Sequence, residues 1–186
     1  MIFTRTERKN FNAFIVLGFA ILALGAVYTS KTSQPFDPAG FVLQRTDGTN
    51  FEGSNLAQGP ALVFFGYTYC PDICPLTLNR VLAARKMSGR EEVPVYFISV
   101  DPERDSLDNL RQYEIAFGRR FIALRGDRNA IAKALDSFGA RASPADENGL
   151  IIHPATLFLI EDDHDLRRIP PPTTDLAPLA ETFSNL

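Results

Sequence analysis

Cysteine and histidine are scarce in this 186-residue chain, with two of each. At most one disulfide can form within it, so a scaffold stapled by several bridges is excluded. Basic clusters are also missing. Four of the 19 lysines and arginines (Arg5, Arg8, Lys9 and Lys31), but only one of the 22 acids (Glu7), fall in the first 31 positions. The formal net charge of -3 is therefore unevenly spread: the remaining chain holds 15 bases against 21 acids. An acidic body without a basic patch is a poor nucleic-acid binder, and no nucleic-acid partner is expected. Internal repeats and low-complexity tracts are absent as well. With 45% hydrophobic residues, 22% charged residues and 13 prolines, neither disorder nor a coiled coil is indicated. The length suits one sizeable core rather than two.

Charge disappears altogether from residues 11–28 (FNAFIVLGFAILALGAVY), where only Asn12 is strongly polar. Eighteen helical residues reach about 27 Å, close to the ~30 Å hydrocarbon core of a bilayer. Arg5, Arg8 and Lys9 precede the run and only Lys31 follows it closely, so the basic side is expected to stay in the cytoplasm. Ala23 and Gly25 would also permit a cleaved signal peptide, but the run exceeds the usual length of a signal core. The expected layout is a cytoplasmic N-terminus (1–10), a single-pass transmembrane anchor (11–29), a linker (30–39) and an exported folded domain (40–186). A bacterial inner membrane with the domain in the periplasm fits best, because ten residues including Glu7 leave little room for a mitochondrial transit peptide.

The rest of the chain alternates strand and helix signals. Residues 41–44 and 50–52 flank Asp47-Gly48, a hairpin turn pair. Residues 61–65 (ALVFF), 93–100 (VPVYFISV) and 156–160 (TLFLI) are apolar runs of strand length, with a shorter strand at 121–124. Helices are expected at 76–87 behind Pro75, at 107–117 behind Ser106, at 128–138 between Asp127 and Gly139, and at 173–185. Leu107, Leu110, Ile115 and Phe117 would form the inward side of the second. This order is α/β, a sheet covered by helices.

Both cysteines lie in one short stretch, residues 66–75 (GYTYCPDICP), just past a buried strand and just before a helix. Ligands bind at that edge of open α/β sheets. Pro75 biases Cys74 away from helical geometry, so Cys70 to Cys74 reads as a tight, exposed turn at a helix N-terminus. Such a terminus favours thiolate, which is both nucleophile and metal ligand. Four residues apart in a helix-like turn, the two sulfurs face the same way and can also approach bonding distance. A purely structural disulfide would close only a five-residue loop, for roughly 2 kcal/mol against ~4.7 for a 100-residue loop. A metal site and a redox pair both remain open.

Two sulfurs leave a soft metal short of ligands. His164 stands in an acidic turn (EDDHD) and reads as solvated. His153 stands immediately before the third buried strand, either as a satisfied core residue or as a third ligand. Two thiolates with one imidazole suit Cu(I), and histidine with anionic sulfur also holds Cu(II). A structural zinc site normally has four protein ligands, and no fourth is evident.

At these residues the chain resembles the Sco/SenC family of cytochrome c oxidase assembly proteins. Residues 66–78 (GYTYCPDICPLTL) are similar to its cysteine motif, residues 99–105 (SVDPERD) to its second hallmark, and His153 before a strand to its third. The resemblance covers about residues 36–162 and the N-terminal anchor. It implies a thioredoxin-like fold, a central mixed sheet flanked by helices. It further implies copper ligation by Cys70, Cys74 and His153, and a copper chaperone whose client is the subunit carrying the CuA site. Reduction of that site's cysteines by Cys70 and Cys74 as a redox pair is a role also proposed for the family. Asp72 would supply negative charge near the metal and a docking face, or would serve only as a turn or helix-start residue. Asp101 and Arg104 would brace the loop after their strand. Two positions depart from the family pattern: Ile152 stands where Asp usually precedes the histidine, and Pro154 where Ser or Thr follows. An Asp there would orient the imidazole, so its replacement bears on metal affinity. The alternative to a metallochaperone is a membrane-anchored thiol–disulfide oxidoreductase acting on extracytoplasmic proteins, with other copper chaperones or thiol–disulfide proteins as partners. A thiol peroxidase of the same broad fold fits less well, since it needs neither the second cysteine nor the histidine.

Overall fold

Residues 61–66 combine an unbroken apolar run with strand length, and all six are buried. The computed structural model describes residues 34–36, 38, 40–161 and 165–186. Gln34–Leu186 forms one compact unit. The apolar run at 11–28 and His164 lie outside the described residues. Among the described residues, no helix is long and apolar enough to cross a membrane.

One eight-stranded sheet organises the unit. In chain order its strands are β1 (Gln34–Pro35), β2 (Val42–Arg45), β3 (Asn50–Glu52), β4 (Ala61–Gly66), β5 (Val95–Ser99), β6 (Phe121–Arg125), β7 (Leu157–Ile160) and β8 (Asp165–Ile169). Across the sheet the order is β1-β8-β7-β4-β5-β6-β2-β3. β4, β5 and β6 run parallel, whereas β7 lies antiparallel to β4. The helices are α1 (Ile73–Ser88), α2 (Leu107–Phe117), α3 (Arg128–Ser137) and α4 (Ala177–Ser184). β4 and β5 are buried along their whole length, as strands covered on both faces must be.

Local chemistry sets the boundaries. The Asp47-Gly48 hairpin forms as the sequence predicts, pairing Val42 with Glu52, and Asp47 accepts a hydrogen bond from the Thr49 N–H. Ser106 and Asp127 cap α2 and α3 by accepting from the N–H groups of Asn109 and Ala130. α1 begins at Ile73, not at Leu76, so Cys74 and Pro75 are both inside its first turn. The bias against helix before proline is overridden there, and Pro75 costs no helical hydrogen bond, because first-turn N–H groups have no intrahelical partner. In α2, Leu110 is buried but Ile115 is 67% exposed. Five residues on from Leu110, Ile115 falls about 140° round the helix, and Tyr113 packs inward instead. α4 is shorter than the expected 173–185.

Two strands were not foreseen. β8 continues the sheet from β7, and β1 pairs with β8. Gln34 to Phe36, expected in the linker, are therefore part of the folded unit. Phe36 is buried, with its ring 4.6 Å from that of Phe138.

Candidate metal centre

β4 ends at Gly66, and the next six residues carry the chain over its C-terminal edge into α1. The antiparallel register of β7 on β4 sets Phe158 opposite Val63 and Leu159 opposite Leu62. The residues preceding β7 must therefore run toward the end of β4, where the cysteine loop begins. That register brings His153 to the two cysteines.

The Sγ atoms of Cys70 and Cys74 and a ring nitrogen of His153 lie within 4.8 Å of one another. His153 Nε2 is 3.3 Å from Cys74 Sγ, and both cysteines are free thiols. His153 Nδ1 lies 3.1 Å from the Pro154 carbonyl oxygen. A carbonyl only accepts, so this contact favours the proton on Nδ1, which leaves the Nε2 lone pair facing Cys74 Sγ. The rings of Phe64 and Tyr67 meet the imidazole edge-on, with centroids 5.9 and 5.6 Å away. The Pro154 carbonyl and these two rings thus do the orienting that an Asp at position 152 would have done; Ile152 is exposed.

The cysteine turn is exposed only in part. Pro71, Asp72 and Ile73 face solvent, while Cys70 and Cys74 are buried. Burial pushes the Cys74 thiol well above its ordinary range, outweighing a backbone hydrogen bond from Tyr67. The expectation of a thiolate favoured by the helix N-terminus therefore fails at Cys74, where desolvation wins. Burial also lowers the His153 pKa, so the imidazole stays neutral and available as a ligand. Gly66 is where backbone and sulfur meet: a Cβ there would fall 2.9 Å from Cys74 Sγ and 2.7 Å from Phe97.

Around the donors lies a polar brace. The buried Asp105 carboxylate accepts from the Thr68 N–H and hydroxyl and from the Ser99 hydroxyl, fixing the cysteine loop to the end of β5. Arg104 pairs with Asp101, as the sequence suggested for a bracing role. Asp72 occupies the N-cap of α1 but makes no capping bond through its side chain. Sequence reasoning passed over Tyr67, Gly66, Asp105 and Gly149. Asp105 lay within the SVDPERD stretch, but a carboxylate that is buried and fully bonded looks in sequence like a surface acid.

Bonds of roughly 2.0–2.3 Å place three donors on one ion about 4 Å apart. The three atoms lie within 4.8 Å of one another, so a shift of under about 1 Å would bring them onto one ion, and two sulfurs with one imidazole suit a soft ion such as Cu(I).

A family model described as SCO1/SenC matches residues 30–186. The chain belongs to the SCO1/SenC family. It is 28% identical over 177 residues to a SCO2-like protein of Rickettsia prowazekii, covering 83% of this chain and 86% of that protein. It is 33% identical over 130 residues to the mitochondrial SCO1 homolog 1 of Arabidopsis thaliana. That match covers 66% of this chain but only 39% of the Arabidopsis protein. A solved structure, Arabidopsis thaliana ScoI with copper bound, matches with a TM-score of 0.71 and 27% identity, over 80% of this chain and 97% of that one. The mixed sheet flanked by helices is thus the thioredoxin-like fold of Sco proteins.

Proposed function

We propose that this SCO1/SenC protein carries copper on Cys70, Cys74 and His153 and delivers it to the CuA site of cytochrome c oxidase. The observation that carries this reading is the approach of two thiols and one neutral imidazole within 4.8 Å, from segments 79 positions apart. Burial excludes water from the cargo, and the exposed Pro71–Ile73 tip leaves one side open to an acceptor. The uncharged run at 11–28 supports a single-pass anchor in a bacterial inner membrane, with the domain in the periplasm beside the oxidase.

The test is a Cu(I) titration of the purified, reduced protein against a chromophoric chelator. One Cu(I) per chain is expected. Cys70→Ser should nearly abolish binding and His153→Ala should weaken it strongly, while the Cys70–Cys74 disulfide form should not bind. Equal binding by reduced and oxidised protein would overturn the reading.

A second reading, thiol–disulfide exchange, is favoured by the unequal burial of the two free thiols: Cys70 is 7% exposed and Cys74 fully buried. The Cys70 thiolate attacks a partner disulfide and releases one partner thiol. Cys74 then gives up its proton and attacks the Cys70 sulfur, releasing the second thiol; two electrons pass to the partner as the Cys70–Cys74 bond forms. Retention of disulfide reduction in His153→Ala, with copper affinity unchanged, would favour this role.

A further inference from the structure

The metal centre is split between two loops that no backbone hydrogen bond from the cysteine turn to His153 joins among those observed. A side chain from a third segment reaches both. Arg104, at the end of the β5 loop, pairs through Nε with the buried Asp101 carboxylate and donates through Nη2 to the Gly149 carbonyl on the histidine loop. Its guanidinium also lies over two rings of the cysteine loop, 5.5 Å from the Tyr67 centroid and 5.4 Å from the Tyr69 centroid. Tyr67 completes the circuit. Its hydroxyl accepts from the Ile151 N–H at 3.4 Å, and its ring meets His153 edge-on.

Gly149 is shaped for this contact. Its φ of +76° is left-handed, and a Cβ there would collide with the guanidinium. The segment 146–150 is itself closed by Asp146, which accepts from the N–H groups of Asn148 and Leu150. The histidine loop is thus a preformed turn held at one carbonyl by one arginine.

We infer that Arg104 is a positioning residue that latches the histidine loop onto the cysteine loop and so brings the His153 imidazole into reach of the two sulfurs. The inference rests on the metal-site reading. Charge alone does not make the latch. Bonding Asp101 and Gly149 at once, with the charge held over two aromatic rings, needs a planar fork, which lysine lacks.

Arg104→Lys keeps the charge beside Asp101 and removes the fork. Partners that orient a ligating histidine are worth about 10–100-fold in metal affinity, and that loss is expected for Cu(I) in the Lys variant. The deciding measurement is a double-mutant cycle: His153→Ala should weaken binding much less in the Arg104→Lys background than in the wild type. Independent, multiplying losses would overturn the inference, as would unchanged affinity in Arg104→Lys. Apo protein supplies a readout free of metal. Amide hydrogen exchange at residues 150–153 should quicken in Arg104→Lys without a matching change in β4, and an unchanged rate would overturn the latch. If His153→Ala alone leaves wild-type affinity unaltered, the metal reading falls, and the exchange measurement still decides the latch. Should Arg104→Lys fail to fold, the pair Asp101→Asn with Arg104→Gln removes both charges together and is scored in the same way.

Discussion

The Nε2 nitrogen of His153 stands 3.3 Å from the Sγ of Cys74, across 79 positions of chain. Each partner is in the protonation state that favours the contact: burial keeps the thiol protonated and the imidazole neutral. The pair is a resting arrangement for a ligand set. The proton on sulfur is what an incoming ion must displace.

Copper affinity is therefore linked to pH. Each proton displaced lowers the apparent affinity about tenfold for every pH unit of acidification, and the Cys74 thiol contributes one. His153 adds less than an ordinary imidazole would, because burial lowers its pKa. Cu(I) competition titrations between about pH 6 and 8 should show affinity falling steadily toward acid. A flat profile would exclude ligation by the Cys74 thiolate.

Much of this architecture was legible before any coordinates. β4, β5 and β7 announced themselves as apolar runs, and Asp127, Ser106 and Asp47-Gly48 marked caps and turns through their own hydrogen-bonding chemistry. Both cysteines stood together in sequence. The convergence of His153 with them is a matter of register: only the antiparallel pairing of β7 on β4 decides it, and period-two alternation does not report a neighbour's direction. β8 escaped notice because DLRRI carries charge and sits only half-buried beside the edge. Arg104 was visible as a brace, but not what it spans, because Gly149 is 45 positions away.

Gly66 shows how tightly the sulfur is packed. A methyl group there would lie closer to both Cys74 Sγ and the Phe97 ring than real contacts allow. Forcing such a group into a filled core costs typically 1–3 kcal/mol. Gly66→Ala should lose about that much in urea unfolding, and Cu(I) affinity should fall with it, because Cys74 is the atom that must move. Loss of stability with copper affinity fully retained would show that Phe97 alone gives way and that the sulfur is not held by the glycine.

Asp105 sets burial against hydrogen bonding. Three donors from Thr68 and Ser99 favour its carboxylate, yet the side chain is fully buried and desolvation dominates, so its pKa is raised above 3.8. A carboxyl whose folded pKa is raised stabilises the fold fully below the unfolded value and loses that contribution as pH rises through the folded value. Asparagine cannot ionise and has no such dependence. The stability of the wild type relative to Asp105→Asn should therefore decline as pH rises from about 3.8, a trend readable from urea unfolding in a pH series, in which the other titrations cancel. If the wild type instead gains on the variant as pH rises, the three hydrogen bonds outweigh desolvation. The cysteine loop would then be anchored by a carboxylate stabilised in the fold.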